Sequence, residues 1–189
     1  TENQLSEKPI IALLPGSRKQ EISKMLSVML SVVKDFPDYQ FVIAGAPSQE
    51  YEFYKPFLSN ENVKFISNKT YDLLSHSYAA LVTSGTATLE TALFNVPEVV
   101  CYKGSWISYQ IAKRIITLKY ISLVNLIMDK EVVKELIQEE LNTENLKVEL
   151  EKILHSENRK QLSIAYANLK QNLGGEGASN KTAELIVNS

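Results

Sequence analysis

The sequence predicts a doubly wound, Rossmann-like α/β domain followed by a helical tail. Short runs that are apolar on both faces recur from Pro9 to Tyr102, and each is followed by a stretch with helical periodicity. Such strands belong to a parallel sheet covered on both sides. After Tyr102 the alternation stops and helical patterns take over. The implied division is a linker over residues 1–8, a Rossmann-like core over 9–128 and a helical tail over 129–189.

The elements follow in order. Ile10–Leu14 is an apolar run closed by Pro15-Gly16, and Gln20–Val33 then places Ile22, Met25, Leu26, Met29, Leu30 and Val33 on one helical face. Phe41–Ala44 reads as the second strand, Gln49–Leu58 as a weak helix and Val63–Ile66 as the third strand. A short helix over Thr70–Ser77 leads to a fourth strand over Ala79–Val82. Thr86–Phe94 is a helix and Val99–Tyr102 the fifth strand. Beyond it, Trp106–Leu118 reads as helical and Ile121–Ile127 as irregular. Glu131–Gln138, Thr143–Leu154, Glu157–Leu173 and Glu176–Val187 read as helices, with Gly174-Gly175 stopping the third of these four.

A chain of 189 residues with 44% hydrophobic content can bury a core without a disulfide or metal staple. A net charge of −2 argues against a general nucleic-acid binder. Cys101 is the lone cysteine, which allows no internal disulfide and points to a reducing compartment. No run of about 18 apolar residues is present. The chain opens on Thr1, and its polar lead to Lys8 runs directly into a strand. That is the pattern of a chain cut at a domain boundary; a processed N-terminus is the alternative.

Ligands of open parallel sheets bind outside the carboxyl ends of the strands, so the turns there are where function is read. In Leu14-Pro15-Gly16-Ser17-Arg18, Gly16 permits close backbone approach, Ser17 offers a helix cap and Arg18 a fixed positive fork suited to phosphate. A plain strand-to-helix turn with a solvated arginine is the competing reading. In Thr83-Ser84-Gly85-Thr86-Ala87-Thr88-Leu89-Glu90, small residues open a helix whose free N–H groups and dipole favour an anion. Ser84 and Thr86 add hydroxyl donors, and Glu90 can accept from sugar hydroxyls. Simple helix capping with a surface acid competes with this reading. Two such turns at one sheet edge suit a diphosphate between them. His76 and His155 lack a second ligand or a nucleophile, and the Glu/Lys run from Asp129 to Lys160 reads as solvated helix faces.

Leu-Pro-Gly-Ser-Arg at 14–18, Ser-Gly-Thr-Ala-Thr-Leu-Glu at 84–90, Val-Val-Cys-Tyr-Lys at 99–103 and Ser-Leu-Val-Asn-Leu-Ile at 122–127 fall in one order, joined by Val132–Glu140. Together they resemble the C-terminal half of the lipid-A-disaccharide synthases, which are GT-B-type glycosyltransferases. The resemblance covers about Pro9 to Glu140. It implies transfer of 2,3-diacylglucosamine from its UDP conjugate to 2,3-diacylglucosamine 1-phosphate with release of UDP, in lipid A biosynthesis. It further implies an acceptor-binding N-terminal domain that this chain lacks and requires, so the chain alone is expected to be inactive.

By the same resemblance, Gly16, Ser17, Arg18, Ser84, Gly85 and Thr86 hold the diphosphate and Glu90 the ribose. Asn68-Lys69-Thr70 holds the uracil through backbone groups, and Asn125 lies at the donor site. Arg18 and Asn125 are the catalytic candidates. Val124 stands where the family has proline. No Asp-x-Asp motif is present, which fits a transferase that needs neither metal nor cofactor, since arginine and helix-terminal N–H groups can stabilise the departing phosphate. Two other readings remain: another UDP-sugar enzyme of this architecture, such as a UDP-N-acetylglucosamine 2-epimerase, and a non-catalytic α/β module that binds a partner.

Between Glu98 and Asp129 the chain has no acidic residue, while Lys103, Lys113, Arg114 and Lys119 flank Trp106, Tyr109 and several isoleucines. Such a stretch can lie on an anionic leaflet or pack into the core with its lysines solvated. Acylated substrates favour the first, which implies cytoplasmic, peripheral attachment at the inner membrane.

Overall fold

The computed structural model describes residues 5–104 and 119–174. Six parallel strands form one sheet in the order β3-β2-β1-β4-β5-β6. They are β1 (Ile10–Leu14), β2 (Gln40–Gly45), β3 (Val63–Ser67), β4 (Ser77–Thr83), β5 (Glu98–Tyr102) and β6 (Lys134–Ile137). The order reverses between β1 and β4, whose central register pairs Ala12 with Ala80. That reversal leaves a crevice above the carboxyl ends of both strands.

Alternate residues of each strand feed opposite faces of the sheet. Ile11, Leu13, Phe41, Ile43, Leu81, Val99 and Leu136 face α1 (Lys19–Met29) and the 3₁₀ turns that continue it to Asp35. Ala12, Leu14, Val42, Ala44, Ala80 and Val82 face the other way, against Leu73 and Leu74 of α3 (Thr70–His76). The weak helix after β2 shrinks to one turn, α2 (Tyr51–Tyr54), followed by a 3₁₀ turn. The helix after β4 is α4 (Thr86–Leu93).

Two expectations fail between Ile121 and Gln138. The segment expected to be irregular contains α5 (Leu123–Met128), capped by Ser122, whose hydroxyl accepts from the Asn125 backbone N–H. The segment expected to be helical instead supplies β6, paired in parallel with β5 from Val99↔Lys134 to Tyr102↔Ile137. A short apolar run fits either period, and here Leu136 goes into the α1-side core while Val133 packs with Val100 and Val124 on the other side. Glu135, expected among solvated acids, is buried.

The tail is part of the core as far as it is described. α6 (Thr143–Leu154) lays Leu146, Leu150 and Ile153 on the α1 side, and Lys147 pairs with Asp35 at 2.9 Å. α7 (Ser156–Asn172) crosses over to pack Tyr166 and Leu169 with Ala92 and Val124. A register shift between Ile10 and Ile11 against β4 leaves Tyr78 outside the pairing. Arg159 of α7 sits 3.6 Å above the Tyr78 ring centroid and donates to the Tyr78 carbonyl. Gly174, at φ 97°, turns the chain after α7 as expected. The helices expected over Trp106–Leu118 and Glu176–Val187 fall outside the described residues.

Candidate functional site

A cleft of about 470 Å³ opens over the β1/β4 reversal. Gly16, Ser17 and Arg18 line one side; Ser84, Gly85, Thr86 and Glu90 line the other, with Gly45, Pro47 and Thr70 closing the end. The two turns singled out in the sequence therefore face each other across one space.

The first turn is shaped by Gly16, whose φ of +100° suits glycine and whose absent Cβ leaves room for Glu21. The helix cap is Arg18, not Ser17. The Ser17 N–H donates to Glu21 Oε2 at 3.3 Å, and the Ser17 carbonyl accepts from Ser48 Oγ at 2.9 Å. Among the described residues the Arg18 side chain has neither an ion pair nor a hydrogen bond.

The second turn has Gly85 as helix cap at φ 154° and ψ −162°, a conformation that only glycine adopts readily. A Cβ there would meet nothing, so backbone conformation alone calls for glycine. Gly85 offers no side chain to cap α4, and the first N–H groups of a helix have no intrahelical partner. Thr88 Oγ1 bonds back to the Gly85 carbonyl at 2.8 Å. Ser84 Oγ donates to the Ile121 carbonyl at 3.0 Å, so its proton is committed to the scaffold and Thr86 keeps the free hydroxyl of the pair.

Of the loop expected to hold a base, only Thr70 lines the cleft. Asn68 takes a left-handed turn at φ 57°, and Lys69 lines a separate groove with Leu73 and His76.

Asn125, expected at the donor site, is instead enclosed at 0% exposure. Its Nδ2 donates to the Val133 carbonyl at 2.8 Å and to Glu135 Oε1 at 2.9 Å. Its Oδ1 accepts from Val132 N at 2.7 Å and Val133 N at 3.0 Å. Glu135 also accepts from Ile121 N, Ser122 N and Ser122 Oγ, at 2.7–2.9 Å. The amide thus ties α5 to β6 and the residues before it, while the Glu135 carboxylate ties β6 to Ile121, which in turn accepts from Ser84 at the cleft. Val124 occupies the second position of α5, where a backbone N–H has no helical partner.

Sequence reasoning missed Glu21, Thr83 and Tyr71. Glu21 is three residues past the Arg18 cap, a position from which a carboxylate can reach back to a backbone N–H. Thr83 ends β4 with a buried hydroxyl that has no partner among the described residues. Tyr71 sits outside the cleft lining but donates to Glu90 Oε1 at 3.4 Å. Among the described residues no cluster of His, Cys, Asp or Glu could hold a metal ion, and no helix is long and apolar enough to cross a membrane.

This architecture is that of the GT-B glycosyltransferases and UDP-N-acetylglucosamine 2-epimerases. The calicheamicin glycosyltransferase CalG4 superimposes with a TM-score of 0.63 at 15% identity, covering 96% of this chain and 43% of that one. A Neisseria meningitidis UDP-GlcNAc 2-epimerase, solved bound to UDP-GlcNAc, gives 0.61 at 17% identity over 98% of this chain and 45% of its own. The family is more specific: the sequence model of the lipid-A-disaccharide synthetases matches residues 1–188. The chain belongs to that family. Lipid-A-disaccharide synthases of Syntrophus aciditrophicus and Coxiella burnetii are 37% and 35% identical over 94% and 96% of it. The chain spans about half the length of such relatives, 48% and 50% in these two.

Proposed function

We propose that the chain is the donor-binding part of a hexosyltransferase that moves 2,3-diacylglucosamine from its UDP conjugate to 2,3-diacylglucosamine 1-phosphate, releasing UDP. The observation that carries this reading is the facing of the Arg18 turn and the uncapped start of α4 across one cleft. Arg18 and the free N–H groups of α4 are positioned to meet the diphosphate, with Thr86 adding a hydroxyl. As the glycosidic C–O bond breaks, negative charge gathers on the β-phosphate, and fixed donors stabilise that charge without reorganising. Glu90, on the same side of the cleft, accepts from the ribose hydroxyls.

In this reading Asn125 is a positioning residue. It fixes Glu135, which holds Ile121 and, through it, Ser84. The catalytic base and the acceptor site belong to the other half of the enzyme, and the chain alone is expected to show no turnover. The basic stretch from Lys103 to Lys119, most of which lies outside the described residues, would bring the enzyme to an anionic leaflet. Sedimentation of the full-length protein with anionic liposomes at low salt tests that attachment.

Calorimetric titration of the chain with UDP tests the site. Binding that weakens in both Arg18→Ala and Glu90→Ala is expected. Binding indifferent to both substitutions would remove the nucleotide from this cleft. In the full-length enzyme, Arg18→Ala should raise the barrier by about 3–4 kcal/mol, as loss of an oxyanion-hole donor does; near-normal turnover would sink the assignment.

A further inference from the structure

Two exposed aromatic rings stand beside the cleft without belonging to its lining. Tyr71 is 57% exposed and Phe94 is 40% exposed. Their rings stack at 5.5 Å between centroids with 22° between planes. Phe94 follows Glu90 by one helical turn, its N–H bonded to the Glu90 carbonyl at 3.1 Å. Tyr71 therefore spans two successive turns of α4, with its ring on Phe94 and its hydroxyl on Glu90 Oε1 at 3.4 Å.

We propose that Tyr71 is a positioning residue that orients the Glu90 carboxylate toward a vicinal diol, and so sets preference for a ribonucleotide over its 2′-deoxy analogue. This rests on the reading above, in which the cleft takes a nucleoside diphosphate with Glu90 at the ribose. A glutamate side chain on a helix surface samples many rotamers, and holding one of them costs entropy. A tyrosine has only two side-chain torsions, and the stack on Phe94 already restricts its ring. Its phenol can therefore fix Oε1 at little further cost. One O–H donated to Oε1 uses one of the carboxylate's roughly four acceptor positions. Both oxygens keep lone pairs, enough to receive the two donors of a cis-diol. A 2′-deoxyribose supplies only one of those donors, so the advantage of an oriented carboxylate is lost with it.

The test titrates the 189-residue chain with UDP and with 2′-deoxy-UDP, comparing unmodified protein, Tyr71→Phe and Glu90→Gln. Tyr71→Phe keeps the ring stack and removes only an exposed hydroxyl. It is expected to weaken UDP by roughly threefold to tenfold, the scale of one hydrogen bond, while 2′-deoxy-UDP changes little. The ratio of the two affinities then falls toward that of Glu90→Gln. An unchanged ratio in Tyr71→Phe overturns the proposal. So does an equal loss for both nucleotides, which would assign the phenol to base contact or to the fold. If the unmodified chain binds both nucleotides alike, the placement of Glu90 at the ribose fails, and the proposal falls with it for that separate reason.

Discussion

Replacing Asn125 with alanine separates a scaffold role from a direct catalytic one. The change strips both donors and both acceptor contacts from the amide, stranding the Val132 and Val133 N–H groups, the Val133 carbonyl and one approach to Glu135. Glu135 keeps its three other donors, and Val132 is half-buried, so water can reach part of the gap. Val133 is buried on both counts, and each stranded buried group costs about 1–3 kcal/mol. The sum comes to roughly 3–5 kcal/mol, a large share of the 5–15 kcal/mol typical of a domain. At about 2–4 °C per kcal/mol for a chain of this size, thermal unfolding should fall by on the order of 10 °C. UDP affinity should weaken as the Ile121–Ser84 contact loosens. Thermal melts and titrations of the variant measure both effects. Unfolding at the unmodified temperature, together with lost turnover in the full-length enzyme, would refute the scaffold argument and put the amide on the substrate.

Further consequences can be measured directly. Gly85→Ala places a Cβ in open space but demands a conformation only glycine adopts readily, so it should cost about 1–3 kcal/mol in urea unfolding. Glu98 is fully buried with no side-chain hydrogen-bond partner among the described residues, and desolvation pushes its carboxyl well above its ordinary value of 4.5. The unfolded chain releases the carboxyl proton above pH 4.5 while the folded chain retains it. Stability is therefore lost as pH rises through this window, by up to about 1.4 kcal/mol per pH unit. Glu98→Gln should remove that slope, with a stabilising effect at pH 7 that disappears near pH 4; parallel curves for the two proteins would refute it. The Cys101 thiol is buried and raised far above its usual range, so it should resist alkylation until the protein unfolds.

How far the fold could be read in the sequence tracked burial pattern. β1, β2, β4 and β5 announced themselves because a strand covered on both faces carries a continuous apolar run, the edge strand β3 by Val63, Phe65 and Ile66 despite Lys64, and α1 because its apolar residues recur at helical spacing. β6 did not, because Glu135 and Leu136 point to opposite faces and its charged residues mimic a solvated helix. What made Glu135 internal was a set of donors from Ile121, Ser122 and Asn125, and no local pattern reports on them. α5 carried a signal that went unused, the Ser122 hydroxyl three residues before Asn125. The cleft was legible at Gly16 and Gly85, whose turns follow strands in open sheets. The burial of Asn125 was not, since a motif residue near a site looks the same in sequence whether it touches the ligand or holds the loop that does. Tyr71 was hidden for another reason: its partner lies on a different helix.

The reversal of strand order at β1 and β4 also bears on how the chain folds. Ile10 pairs with Ser77 at the centre of the sheet, so the middle pairing closes over the whole of β2, β3 and the intervening helices. Contacts so distant in sequence are slow to form, because loop-closure entropy precedes their reward. The cleft is built on that same junction, with one wall from each side of it. An anion that bridges the walls would act as a clamp on the pairing of the sheet that is most distant in sequence. At a hundredfold excess over its dissociation constant it would add about 2.7 kcal/mol to global stability. Amides of β1 and β4 would then exchange with solvent far more slowly in the occupied protein than in the empty one.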